Sequence, residues 1–193
     1  WLVYDMTGSA FLLGVVGFAG QIPTFLLSPV AGVLTDRWSK YRVLLVAQVV
    51  SMIQAGILAA MSLTGTLNVG YILGLSIVLG CINAFDVPAR HSFVVEMVEN
   101  KEDLGNAIAL NSMMFNGARL VGPSVAGLIL ATAGEGICFL INAVSYIFVI
   151  ASLLSMVLHH KKLPPKETHI ITELKEGLRY TFGFPPIRHI ILL

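Results

Sequence analysis

Arg119 stands alone among apolar neighbours, about half way along a run that extends from 104 to 133. A guanidinium in hydrocarbon costs at least about 2.5 kcal/mol, so it is expected to face the bundle interior with a partner or water. Asn111, Phe115 and Arg119 recur every four residues and therefore share one face of a helix. That face offers an amide, an aromatic ring and a cation together, which is the chemistry of binding; the alternative is a structural tie from Arg119 to a neighbouring helix. Gln21 and Asn142, with Gln48, Gln54 and Asn83, are further polar groups in apolar surroundings. Such amides either line a cavity or hold helices together.

A second constellation runs Gly32-Val33-Leu34-Thr35-Asp36-Arg37-Trp38-Ser39-Lys40-Tyr41-Arg42. Gly32 permits close approach of two helices, and Asp36 among Arg37, Lys40 and Arg42 in a tight turn suits an ion-pair latch. Asp86 and Arg90 stand at the close of a later apolar run, in Asp86-Val87-Pro88-Ala89-Arg90. Asp86 either takes part directly in function or makes a salt bridge to a nearby base at the helix end. Gly122, Pro123 and Gly127, with Ala118 and Ala126, form a small-residue stripe and a potential kink.

Catalytic chemistry finds little support. Cys81 and Cys138 are isolated, and His91, His159, His160 and His169 lie in or beside polar segments, with no HExxH, GxSxG or Cys/His cluster. Neither a metal site nor a cofactor site is expected, and the phosphate-binding pattern G-x-x-x-x-G-K-S/T is absent.

The elements that must position these residues follow from composition. Of 193 residues, 56% are hydrophobic and 12% charged, about half the charge of an ordinary soluble domain, and mean hydropathy is +0.83. Crossing about 30 Å of hydrocarbon takes roughly 20 apolar residues. Runs near 10–33, 43–64, 68–88, 104–133 and 136–158 meet that length. They must be helical, because lipid offers nothing to unpaired backbone groups. The chain opens at Trp1 with what reads as the end of an earlier span, and a further span begins near Ile187. The expected organisation is therefore a transmembrane bundle over 1–158, a polar linker over 159–186 and the start of another helix at 187–193. Within the linker, Ile170, Ile171, Leu174, Leu178 and Phe182 recur at helical spacing, as in an amphipathic surface helix or a solvated one packed on loops.

Eleven of the twelve lysines and arginines fall in alternate connections: after the first run, after the third and after the fifth. The connections at Asp5 to Ser9, Ser62 to Asn68 and Gly134 to Gly136 carry none. This asymmetry is the positive-inside pattern, and it places the basic connections and the linker in the cytoplasm. The net charge of +1, segregated in this way, gives no reason to expect a nucleic-acid partner.

The Gly32 to Arg42 segment resembles the signature loop of the major facilitator superfamily, G-x-x-x-D-R/K-x-G-R/K-x-R/K; Gly32, Asp36, Arg37, Lys40 and Arg42 match, and Ser39 replaces the usual glycine. With Asp86 to Arg90, Asn106 to Ser112 and Gly117 to Pro123, the whole chain looks like the branch that contains enterobactin exporters and macrolide-efflux proteins. Gly122-Pro123 and Gly127 resemble the antiporter motif of its fifth helix, without the second consecutive glycine. The resemblance implies an all-α membrane bundle of twelve helices, of which about five are complete here and the C-terminal half is missing. It implies a secondary transporter of the bacterial inner membrane, exporting a drug, siderophore or other amphiphilic small molecule in exchange for protons, and not an enzyme. An importer, symporter or lipid transporter of the same fold is the alternative. No carboxylate suited to proton coupling is evident within the spans.

Overall fold

The computed structural model of the chain describes residues 2–98, 100–156 and 179. The expected linker over 159–186, apart from Arg179, and the start of a span at 187–193 lie outside the described residues. Five α-helices make up the described architecture: α1 Leu2–Thr7, α2 Ala10–Arg37, α3 Lys40–Leu63, α4 Val69–Met97 and α5 Leu104–Ser155. Side chains close two of the N-termini: Ser9 Oγ accepts from the Leu12 N–H at 3.3 Å and Asn68 Oδ1 from the Tyr71 N–H at 3.0 Å.

At 52 residues, α5 would be about 78 Å long if straight, more than twice the hydrocarbon thickness. It is not straight. Gly134 adopts φ 81° and ψ 174°, a conformation essentially reserved for glycine. Twelve residues along a continuous helix span about 18 Å, yet Cys138 Sγ lies 3.8 Å from the Ala126 carbonyl oxygen. The element therefore doubles back at Gly134 into two limbs, residues 104–133 and 135–155. Together with α2, α3 and α4 they give the five spans expected from the apolar runs, and the turn falls at the expected Gly134 to Gly136 connection.

α4 packs along α2 and also against α3, while α3 packs against α5. The second limb of α5 runs antiparallel to α3: Gly136 sits against Leu63 at one end, and Leu153 and Met156 join Leu44, Ala89 and Phe93 at the other. The closest helix crossing is between α2 and α4. A Cβ on Gly80 would lie 2.3 Å from the Gly20 carbonyl oxygen, and Thr24 Oγ1 donates to the Gly80 carbonyl oxygen across the same interface at 2.8 Å.

The interior is built of small residues. Ala31, Ala55, Ala84 and Ala89 are fully buried, whereas Phe11, Phe25 and Leu120 are more than three-quarters exposed. Water would penalise that distribution, but lipid does not, because helices in a bilayer associate through close packing of small residues rather than by hiding large ones.

The helices overrun the apolar segments at the basic end. α2 continues past 33 to Arg37, so that Trp38 and Ser39 alone connect it to α3. α4 continues past Pro88 to Met97, because one proline removes one N–H and the polar turns beyond it can remain helical in headgroups or water. The glycine roles are redistributed as well. A Cβ on Gly32 would meet nothing within 4 Å, and neither would one on Gly122 or Gly127. Close approach thus belongs to Gly20 and Gly80. The backbone passes through Gly122 and Pro123 without leaving helical dihedrals, and the break in α5 falls at Gly134 instead.

Candidate functional site

At the basic end, the α2–α3 turn and the last turns of α4 bring several charged groups together. Asp86 on α4 is 9% exposed. Its Oδ1 accepts from Gln48 Nε2 of α3 at 2.9 Å, and its Oδ2 accepts from Arg90 Nε at 3.2 Å and Nη2 at 2.8 Å. The Asp86–Arg90 pair follows from the i,i+4 spacing, which puts both on one face of α4. Of the two readings open for Asp86, the salt bridge to a nearby base is the one observed, and Gln48 adds an interhelical tie. Lys40 at the start of α3 pairs with Glu96 near the end of α4. Glu96 is a partner that sequence reasoning missed; its position two turns beyond Pro88 marks it only once α4 is known to continue.

Aromatic contacts brace the same corner. Trp38 stacks on Phe85 with ring centroids 6.5 Å apart, and Tyr41 meets Phe93 at the same separation. Of the residues expected to form a latch, Asp86 and Arg90 form one ion pair and Lys40 enters another. Arg37 and Arg42 line a cleft beside them. Asp36 is exposed and belongs to neither ion pair, and Gly32 is only partly buried on the preceding turn of α2.

The second region is the first limb of α5, which is exposed along nearly its whole length from Asn106 to Leu128. Arg119 lies over the Phe115 ring, with its guanidinium carbon 5.3 Å from the centroid. That distance is a cation–π contact, and it arises from the spacing of four that was read from the sequence. Asn111 continues the same exposed face. Gln21 on α2 and Asn142 on the second limb are also exposed, and no hydrogen bond among the described residues joins them to Arg119. Gln48 and Gln54 do not line a cavity. Both are buried between helices, Gln54 Nε2 donating to the Leu75 carbonyl oxygen at 3.3 Å.

The comparisons with known proteins agree with this architecture. A family model described as transmembrane secretion effector, a branch of the major facilitator superfamily, matches residues 1–193. The chain is 30% identical over 167 residues to the staphyloferrin A transporter of Staphylococcus aureus, covering 85% of this chain and 41% of that protein. It is 23% identical to the multidrug efflux pump Tap of Mycolicibacterium fortuitum, over 100% of this chain and 49% of the pump. Macrolide efflux protein A of Streptococcus pyogenes is 22% identical over 90% of this chain and 43% of its own length. The chain thus spans less than half the length of these relatives, and no solved structure matches it. The family and these relatives are transporters, not enzymes. With apolar helices, an inverted distribution of large and small residues and a family match from end to end, the chain belongs to the transmembrane secretion effector family of the major facilitator superfamily.

Proposed function

We propose that this chain is the N-terminal half of a secondary active transporter that exports an amphiphilic small molecule, such as a drug or siderophore, from a bacterial cell by alternating access. The observation that carries the proposal is Arg119. It is a cation at mid-span on an exposed helix face, and such a group belongs beside water, substrate or an opposing half rather than lipid. Transporters of this architecture hold substrate near the midplane between two halves. Arg119, Phe115 and Asn111 would line the path, with Gln21 and Asn142 at its margins. Export fits the relatives whose names describe efflux, and the proton gradient is the energy source the reading assigns.

The basic end, in this reading, lies in the cytoplasm and serves as the latch of the cycle: the α2–α3 turn with Gly32, Asp36, Arg37, Lys40 and Arg42 and the Asp86–Arg90 pair of α4 together hold one access state. Asp36→Asn is expected to slow transport while leaving insertion and substrate binding largely intact.

The test is flux in everted vesicles that contain the full-length protein. Uptake abolished by an uncoupler supports proton-driven export; accumulation in right-side-out cells instead supports an importer. Arg119→Ala is expected to lower flux at least tenfold at normal expression, and normal flux by that variant would remove Arg119 from the path.

A further inference from the structure

Between Asp103 and Glu135 the sequence holds no acid, and Arg119 is its sole base. The apolar runs at 10–33, 43–64 and 136–158 hold neither acid nor base. In the remaining run, 68–88, Asp86 stands at the basic end and is engaged by Gln48 and Arg90. Arg119 is therefore a charge at mid-span with no opposite charge at its own depth in these helices. No ion pair or hydrogen bond among the described residues joins it. Its contact with Phe115, 5.3 Å from the ring centroid, covers one side of the guanidinium and leaves the N–H donors unspent. The surroundings leave room for a ligand. Ala118 adds little bulk beside Arg119, and a Cβ on Gly122 would meet nothing within 4 Å. One turn toward the start of the limb, Met114 is 69% and Phe115 59% exposed, a soft apolar surface that adapts to varied shapes.

Resting on the reading that Arg119 lines the path, we propose that the substrate is an anionic amphiphile, its carboxylate bound by the Arg119 fork and its apolar body laid over Phe115 and Met114. A planar carboxylate accepts two parallel N–H bonds from a guanidinium, and such charge-assisted pairs are stronger than neutral hydrogen bonds. A neutral occupant would leave the cation without a counter-charge at the depth where that costs most. A cationic one would meet a like charge across a medium that screens poorly, with no acid at mid-span to offset it.

The test measures binding rather than flux, in full-length protein held in phosphatidylcholine nanodiscs near neutral pH. Dansyl-phenylalanine is compared with dansyl-phenylalaninamide, and pyrenebutyrate with pyrenebutyramide, so that each pair differs in charge and hardly in shape. Fluorescence titrations, with empty nanodiscs subtracted, should show each carboxylate binding about tenfold more tightly than its amide. Arg119→Gln should bring each pair within about twofold by weakening the carboxylate alone. Arg119→Lys, which keeps the charge and loses the fork, should retain an intermediate preference. Equal affinity for carboxylate and amide in the wild-type protein would overturn the proposal, and that readout needs no variant to fold. So would an equal loss of both affinities in Arg119→Gln, which would make Arg119 a structural tie to another helix, or binding of neither pair. If flux is still lost in Arg119→Ala, equal wild-type affinities remove only the anionic class and leave Arg119 on the path; normal flux in that variant removes the path itself.

Discussion

Asp86 shows how a buried carboxylate at the end of a bundle is supplied with partners on both oxygens. One oxygen accepts from Gln48 of a neighbouring helix, the other accepts twice from Arg90 one turn away. Asp86→Ala leaves the buried Gln48 amide without this acceptor, while the half-exposed Arg90 can turn to solvent, and is expected to lower stability by about 1–3 kcal/mol, read as the unfolding midpoint of purified protein in detergent. Asp86→Asn keeps a partner for Gln48 and should lose less; equal loss in the two variants would show that Gln48 contributes nothing. The i,i+4 spacing made the Arg90 contact legible in the sequence. The Gln48 contact was not legible, because an amide in an apolar run reads the same whether it faces a cavity or a partner. Lys40–Glu96 was hidden for a related reason, since its two residues lie 56 apart and no local pattern joins them.

Helix packing depends on where backbones touch. At the α2–α4 crossing, a methyl group on Gly80 would collide with the Gly20 carbonyl, and backbone cannot rotate aside as a side chain does. Gly80→Ala is therefore expected to cost about 1–3 kcal/mol, while Gly74→Ala on the same helix, with nothing within 4 Å of its added carbon, should stay within about 0.5 kcal/mol. Thermal unfolding of the two variants side by side decides it. The spans and their glycine turns were readable because length and hydropathy are local quantities. The crossing was not, because in lipid every face of a helix is apolar and hydrophobic periodicity no longer points to the interior. The extension of α4 to Met97 was missed in the same way: outside the membrane, polar residues give no sign of whether helix or loop continues.

The orientation of the whole bundle is a separate question, argued from basic residues. A maleimide that does not cross membranes should label Ser39→Cys only after cells are permeabilised and Thr66→Cys without permeabilisation, in a background with Cys81 and Cys138 replaced by serine. The reverse labelling would invert the topology. The hairpin at Gly134 carries a consequence for how the chain enters the membrane. Its first limb holds Arg119 at mid-span, a group that on its own opposes transfer from the translocon into lipid by about 2.5–3.5 kcal/mol. Its second limb, residues 135–155, bears no lysine or arginine. One glycine separates them, so entry of the two limbs as a pair would let the apolar limb offset the cost of the arginine-bearing one.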